Sequence, residues 1–170
     1  MISGVNDEAV TSPPQQLARE SDSNAFLLAQ LGAHAAQRFA ERIVKLDLTP
    51  PQAGLLRIVA AQPGQSQQMI AGQLGTPASR VVALVDGLQE RGLVERRRNP
   101  EDRRNYALHL TGKGRQLLRR LGRLARQHDE AICAGLTEGE REQLHGLLAR
   151  LAAAQGLPAR VHPGYRAIAD

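Results

Sequence analysis

Aromatic side chains are almost absent: two Tyr, two Phe and no Trp occur in 170 residues. A core without large rings must be assembled from Leu, Ala and Val, which favours packed helices over a sheet sandwich. Cysteine is as scarce. The single thiol, Cys133, excludes an intramolecular disulfide framework and agrees with a reducing cytoplasm, the expected location. No apolar run reaches membrane-spanning length and no signal-peptide pattern opens the chain, so no membrane partner is expected. Residues for metal and enzyme chemistry are missing too. Five histidines are scattered without ligand spacing, so neither a zinc site nor any other cofactor is expected. Gly112-Lys113 lacks the upstream glycine of a phosphate loop, and Gly114 stands where that loop needs Ser or Thr. With no Ser/His/Asp arrangement and no glycine-rich dinucleotide fingerprint, an enzyme has no residues to stand on.

Basic charge is what the chain does have, and it is concentrated. The formal charge is +5 and the pI about 10.3. Between Arg91 and Arg126, twelve Lys and Arg stand against three acids, so this block carries +9 and the remainder −4. Such a block on an otherwise acidic chain points to a polyanionic partner.

Periodicity supplies the elements. Residues 1–21 are polar, contain proline and have no period, and are expected to form a disordered arm. Ser23 or Asp22 can cap a long helix ending near Leu46, with Leu27, Leu31, Ala35 and Phe39 on one face. Thr49, Pro50 and Gln52 make the start of a second helix, with Leu55, Leu56 and Val59 buried, that stops at Pro63-Gly64. Ser66 caps a short helix, Gln67 to Leu74, with Met69, Ile70 and Leu74 inward. Gly75-Thr76 turns into the next helix, with Thr76 as N-cap and Pro77 first inside. Val81, Leu84, Val85 and Leu88 form its apolar stripe and Gly92 ends it. Two short helices about a glycine turn make a helix-turn-helix, whose second helix enters the DNA major groove.

A hairpin follows: Leu93 to Arg98, then the polar turn NPEDRRN, then Tyr106 to Leu110, where Tyr106, Leu108 and Leu110 alternate with Ala107 and His109. Thr111 can cap a long helix reaching about Ala134. Its ridge is Leu117, Leu118, Leu121, Leu124 and Ile132, and its other faces carry Arg115, Arg119, Arg120, Arg123 and Arg126. Thr137 and Glu140 box a last helix with Leu144, Leu147, Leu148 and Leu151, ended by Gly156-Leu157-Pro158. Residues 157–170 read as a loose tail.

Asp102-Arg103-Arg104, followed by Leu108-His109-Leu110-Thr111-Gly112-Lys113-Gly114, resembles the wing signature of the MarR family of transcriptional regulators. Arg91 to Arg96 resembles its helix-to-wing junction, and the likeness covers roughly residues 22–155 by motif spacing. The resemblance implies a mainly α fold with a small β wing: a winged helix-turn-helix lobe at 49–111, flanked by dimerisation helices at 22–48 and 112–156. The terminal helices carry more apolar surface than a compact DNA-binding unit covers, which agrees with a homodimer.

By the same resemblance Arg104 is the wing arginine that enters the minor groove and Asp102 orients it, with Arg103 beside them. Thr76, Ala78, Ser79, Arg80 and Ala83 are the candidates at the groove-facing end of the recognition helix. Arg80 can pair with a guanine edge or meet phosphates. Family members often carry Thr-Arg where this chain has Val82-Ala83, so shape readout gains weight. Arg96, Arg97, Arg98 and Lys113 are expected phosphate contacts. Asp86 matches a position that holds the wing, or is an exposed helix acid. A ligand-responsive repressor on a near-palindromic operator is the function implied. Its effector is expected to be a small aromatic or phenolic acid met by His34, Arg38 and Arg57. The alternatives are an architectural DNA-binding protein with little sequence preference, a module for an acidic protein, and a thiol switch at Cys133; a structural Cys133 is the plainer reading.

Overall fold

A computed structural model describes residues 23–98 and 106–157. The expected N-terminal arm, the hairpin turn with Asp102, Arg103 and Arg104, and the tail after Leu157 lie outside the described residues. The chain divides into two compact units, Met1–Arg38 and Phe39–Asp170.

Helix α1 (Asn24–Ile43) runs across that division. In the first unit Ser23 caps it: its Oγ accepts from the Phe26 N–H at 3.1 Å, while Asp22 lies outside the described residues. Phe26, Leu27, Leu28 and Leu31 are exposed on this part of the helix. In the second unit Ile43 is fully buried. Here the helix tightens into a 3-10 turn (Val44–Leu46), so the α-helical part ends before the expected Leu46. Asp47 then reverses the chain in the left-handed region at φ 53°.

Helix α2 (Pro50–Ala61) begins with the expected capping box. The Gln52 side chain accepts from the Thr49 N–H at 3.0 Å while Thr49 Oγ1 accepts from the Gln52 N–H, and Pro50 opens the helix where no donor is needed. Helix α3 (Gln67–Leu74) is capped by Ser66 and ends at Gly75, whose φ of 60° is the left-handed conformation that favours glycine. Ile70, Ala71 and Leu74 take its inner face. That leaves Met69 outside and 56% exposed, against the inward position expected from sequence. Helix α4 (Ala78–Glu90) starts one residue later than expected. Pro77 is the N-cap with ψ 140°, and the Thr76 hydroxyl is buried without a partner instead of capping.

Strands β1 (Val94–Arg98) and β2 (Tyr106–Leu110) pair antiparallel with Val94 opposite Leu110 and Arg98 opposite Tyr106. A short piece of α3's lead-in adds to the outer side of β2. Gly64 N–H donates to Leu108 O at 2.9 Å, Leu108 N–H donates to Gln65 O at 3.0 Å, and Ser66 bridges to Ala107. This cover buries Ala107 along with Leu108, whereas Tyr106 is half exposed, so the expected alternation fails at both positions.

Helix α5 (Gly112–Ile132) and helix α6 (Glu138–Ala154) are the last elements among the described residues. Thr111 caps α5, as expected; Leu117 and Leu121 are buried, but Ile132 is exposed at its end. Phe39 packs at a tilt on His128 of α5, with ring centroids 5.4 Å apart. The core lies between α2, α3, α4, the hairpin and α5, where Leu55, Leu56, Ile70, Leu74, Val85, Leu88, Leu108 and Leu121 are all inaccessible to solvent. No residue of α6 is buried. Among the described residues, no helix is long and apolar enough to cross a membrane, and no group of His, Cys, Asp and Glu could hold a metal ion.

Candidate nucleic-acid interface

The interface is built from α4 outward. Val81, Val85 and Leu88 anchor one side of this helix in the core, and Leu84 packs beside them. The opposite side of its first two turns presents Ala78, Ser79, Val82 and Ala83 to solvent, with Arg80 half-buried at the margin. The C-terminal end is fixed by a Schellman motif. Gly92 (φ 65°) lets its own N–H reach Gln89 O at 2.8 Å and the Leu93 N–H reach Leu88 O at 2.9 Å.

Charged side chains then brace the helix against the wing. The Arg96 guanidinium, on β1, donates to Asp86 and to Gln89 Oε1 (2.7 Å), both on α4. It also donates to the Gln67 carboxamide oxygen of α3 at 2.7 Å, in the amide orientation that satisfies both ends of that side chain. One strand residue thus ties both helices of the turn unit. Asp86 holds the wing in this way, as the resemblance implies.

Arg97 and Lys113, two of the other expected phosphate ligands, have protein partners as well. Arg97 pairs with Glu95 two residues away on β1. Lys113 Nζ donates to Arg91 O at 2.8 Å, placing its charge at the carbonyl end of α4, where the helix dipole favours a cation. Arg98 is exposed at the end of β1, next to the turn that lies outside the described residues.

Two residues at the wing root are read from sequence only as members of motifs, with no role of their own. Arg91 reaches the turn after α1, donating to Asp47 O and pairing with its carboxylate at 3.2 Å. Gly114 sits so close to the end of α4 that a Cβ would stand 2.0 Å from Leu93 O. Its place in the wing signature was the available signal, and the close approach is its cause. Thr111 Oγ1 closes the same junction by donating to Gly92 O at 2.7 Å.

Of the residues expected to meet an effector, His34 and Arg38 belong to the first unit and Arg57 to α2 in the second; all three are exposed. Cys133 is half-buried at the C-cap of α5.

Two short helices about a glycine turn, the second held against an antiparallel hairpin, define a winged helix-turn-helix DNA-binding domain. Residues 46–105 match the model of the MarR family. A protein of Thauera aromatica assigned to transcriptional regulation of the hcr operon is 38% identical over 118 residues, covering 69% of this chain and 71% of that one. Among solved structures, the transcriptional repressor CouR bound to a 23-mer DNA duplex superposes with a TM-score of 0.70 at 34% identity. It covers 80% of this chain and 96% of its own. CouR from Rhodococcus jostii RHA1 bound to p-coumaroyl-CoA gives 0.64 at 29% identity, with 78% and 93% covered. The chain belongs to the MarR family: it is a DNA-binding transcriptional regulator and not an enzyme.

Proposed function

We propose that this regulator is a ligand-responsive repressor that binds a near-palindromic operator as a homodimer. The observation that carries the reading is the rigid presentation of α4, seated on the core and braced to the wing through Arg96. The DNA-bound state of CouR, a repressor by its name, supports it. In this reading residues 49–111 form the DNA-binding lobe. Helices within 22–48 and 112–156 supply the dimer contact, to which the exposed leucines of α1 and α6 each contribute. Two copies of α4 enter successive major grooves about one helical turn apart. Arg104 enters the flanking minor groove with Asp102 and Arg103 beside it, and Ser79, Arg80 and Arg98 contact the duplex, whereas the buried Thr76 hydroxyl does not.

The effector is proposed to be an aromatic or phenolic acid, free or as its coenzyme A thioester, since p-coumaroyl-CoA occupies CouR. His34, Arg38 and Arg57 are the side chains proposed to meet its anionic groups. A ligand that prefers a separation of the two lobes unsuited to DNA shifts the dimer off its operator.

Selection of bound duplexes from a random pool at physiological salt tests the reading, with Arg104→Ala alongside. An enriched inverted repeat, bound more weakly by the variant, is the expected result. Binding without an enriched motif, and with steep salt dependence, would instead establish an architectural protein.

A further inference from the structure

The front of α4 has an unusual chemistry for a helix that reads bases. Val81 and Val85 are fully buried, but Val82, between them in sequence, is 38% exposed. Ala78 and Ala83 are exposed on either side of it on the same solvent face, and Ser79 is the only hydroxyl there. Further along, Asp86 and Gln89 are engaged by Arg96. Arg80, the one residue able to make a bidentate pair with guanine, lies half-buried at the far margin from Val82. Among the described residues Val82 is left partly open to solvent, and a β-branched side chain on an exposed helix face gains nothing in helix propensity.

In the major groove one base feature rewards an apolar side chain: the C5-methyl group of thymine. We propose that Val82, with Ala78 and Ala83 around it, reads thymine methyls in the operator half-site. Hydrogen-bond readout falls to Ser79 and Arg80. This rests on the DNA-binding reading above and makes Val82 a specificity-determining residue. The half-site is accordingly thymine-bearing where the middle of the first two turns of α4 meets the groove.

The test replaces each thymine of the selected half-site, one at a time, by deoxyuridine. That change removes only the methyl group and leaves base pairing intact. With the wild-type protein, uracil at one or two adjacent positions is expected to weaken binding about fourfold per methyl, the worth of one buried methyl group. Val82→Ala is expected to bind the thymine operator more weakly and to lose its response to uracil at those positions. Val82→Thr, which keeps one methyl at the same shape, should retain part of it. Because Val82 is outside the core, both variants should unfold like the wild type. Wild-type binding indifferent to uracil throughout the half-site would overturn the proposal and leave the regulator reading standing. So would a Val82→Ala variant with undiminished uracil sensitivity. Failure to select any operator would instead remove the reading on which the proposal depends.

Discussion

At Gly114 the backbone of α5 and the carbonyl of Leu93 come within a distance that no side chain tolerates. Gly114→Ala must therefore push the start of α5 away from the end of α4, and that junction also holds Thr111 and Lys113. Overpacking of this kind costs about 1–3 kcal/mol or more. Urea unfolding should show the loss, and a variant within about 0.5 kcal/mol of wild type, the range of neutral surface changes, would contradict the contact. Arg96 makes a different case. Its side chain is 20% exposed and its partner Asp86 50%, so the ion pair is screened and adds at most about 1 kcal/mol to stability. Its effect should appear in DNA binding, through the placing of α4. A brace and a phosphate ligand differ in salt dependence: removing a ligand lowers the log–log slope by about 0.9. Arg96→Ala is expected to weaken binding with the slope unchanged, and a reduced slope would make Arg96 a phosphate contact after all.

Helix ends show how local chemistry sets the elements. Thr137 accepts from the Glu140 N–H while the Glu140 carboxylate accepts from the Thr137 N–H at 2.7 Å, closing the start of α6. Donation to the Glu140 carboxylate, from the Thr137 backbone N–H first and from its hydroxyl (2.7 Å) second, holds that carboxyl below its ordinary range. A carboxyl with a lowered pKa in the folded chain stabilises it above the unfolded value, and the contribution fades as pH falls through the folded one. The protection of amides at the start of α6, measured as exchange relative to that of the unstructured chain at the same pH, should therefore fall on acidification. Glu140→Gln, which can accept the same bond without titrating, should remove that acid response; an unchanged response would locate it elsewhere. Such caps are legible because they depend on three or four adjacent residues, as at Thr49, Ser66, Thr111 and Thr137. Met69 was misplaced because three neighbours suffice to fill the inner face of an eight-residue helix. The pairing of Gln65 and Ser66 with β2, the reach of Arg91 to Asp47 and the grip of Arg96 on α3 and α4 depend on tertiary approach, which no local pattern encodes. The wing signature could be read at Asp102 to Arg104, yet those residues lie outside the described ones, so their roles rest on resemblance.

For the whole molecule, the apolar surface left on α6 carries the argument for two copies. Leu144, Leu147, Leu148 and Leu151 share one helical face and are 36–50% exposed, in a helix with no buried residue. A contiguous leucine face of this kind usually belongs against a partner. Leu147→Glu would place a charge in that contact. If the proposed dimer forms through this face, sedimentation should report a dimer for the wild type and a monomer for the variant, and a dimer that survives the charge would place the contact elsewhere.

The proposed dimeric grip on DNA is tested most directly by spacing. Two copies of α4 fixed by one dimer fit half-sites about 10 bp apart and cannot follow them around the helix. Inserting 5 bp between the half-sites of the selected operator turns one to the opposite face of the duplex. Affinity for the operator with this insertion should fall to that of a single half-site. Undiminished binding would contradict a rigid homodimer reading an inverted repeat.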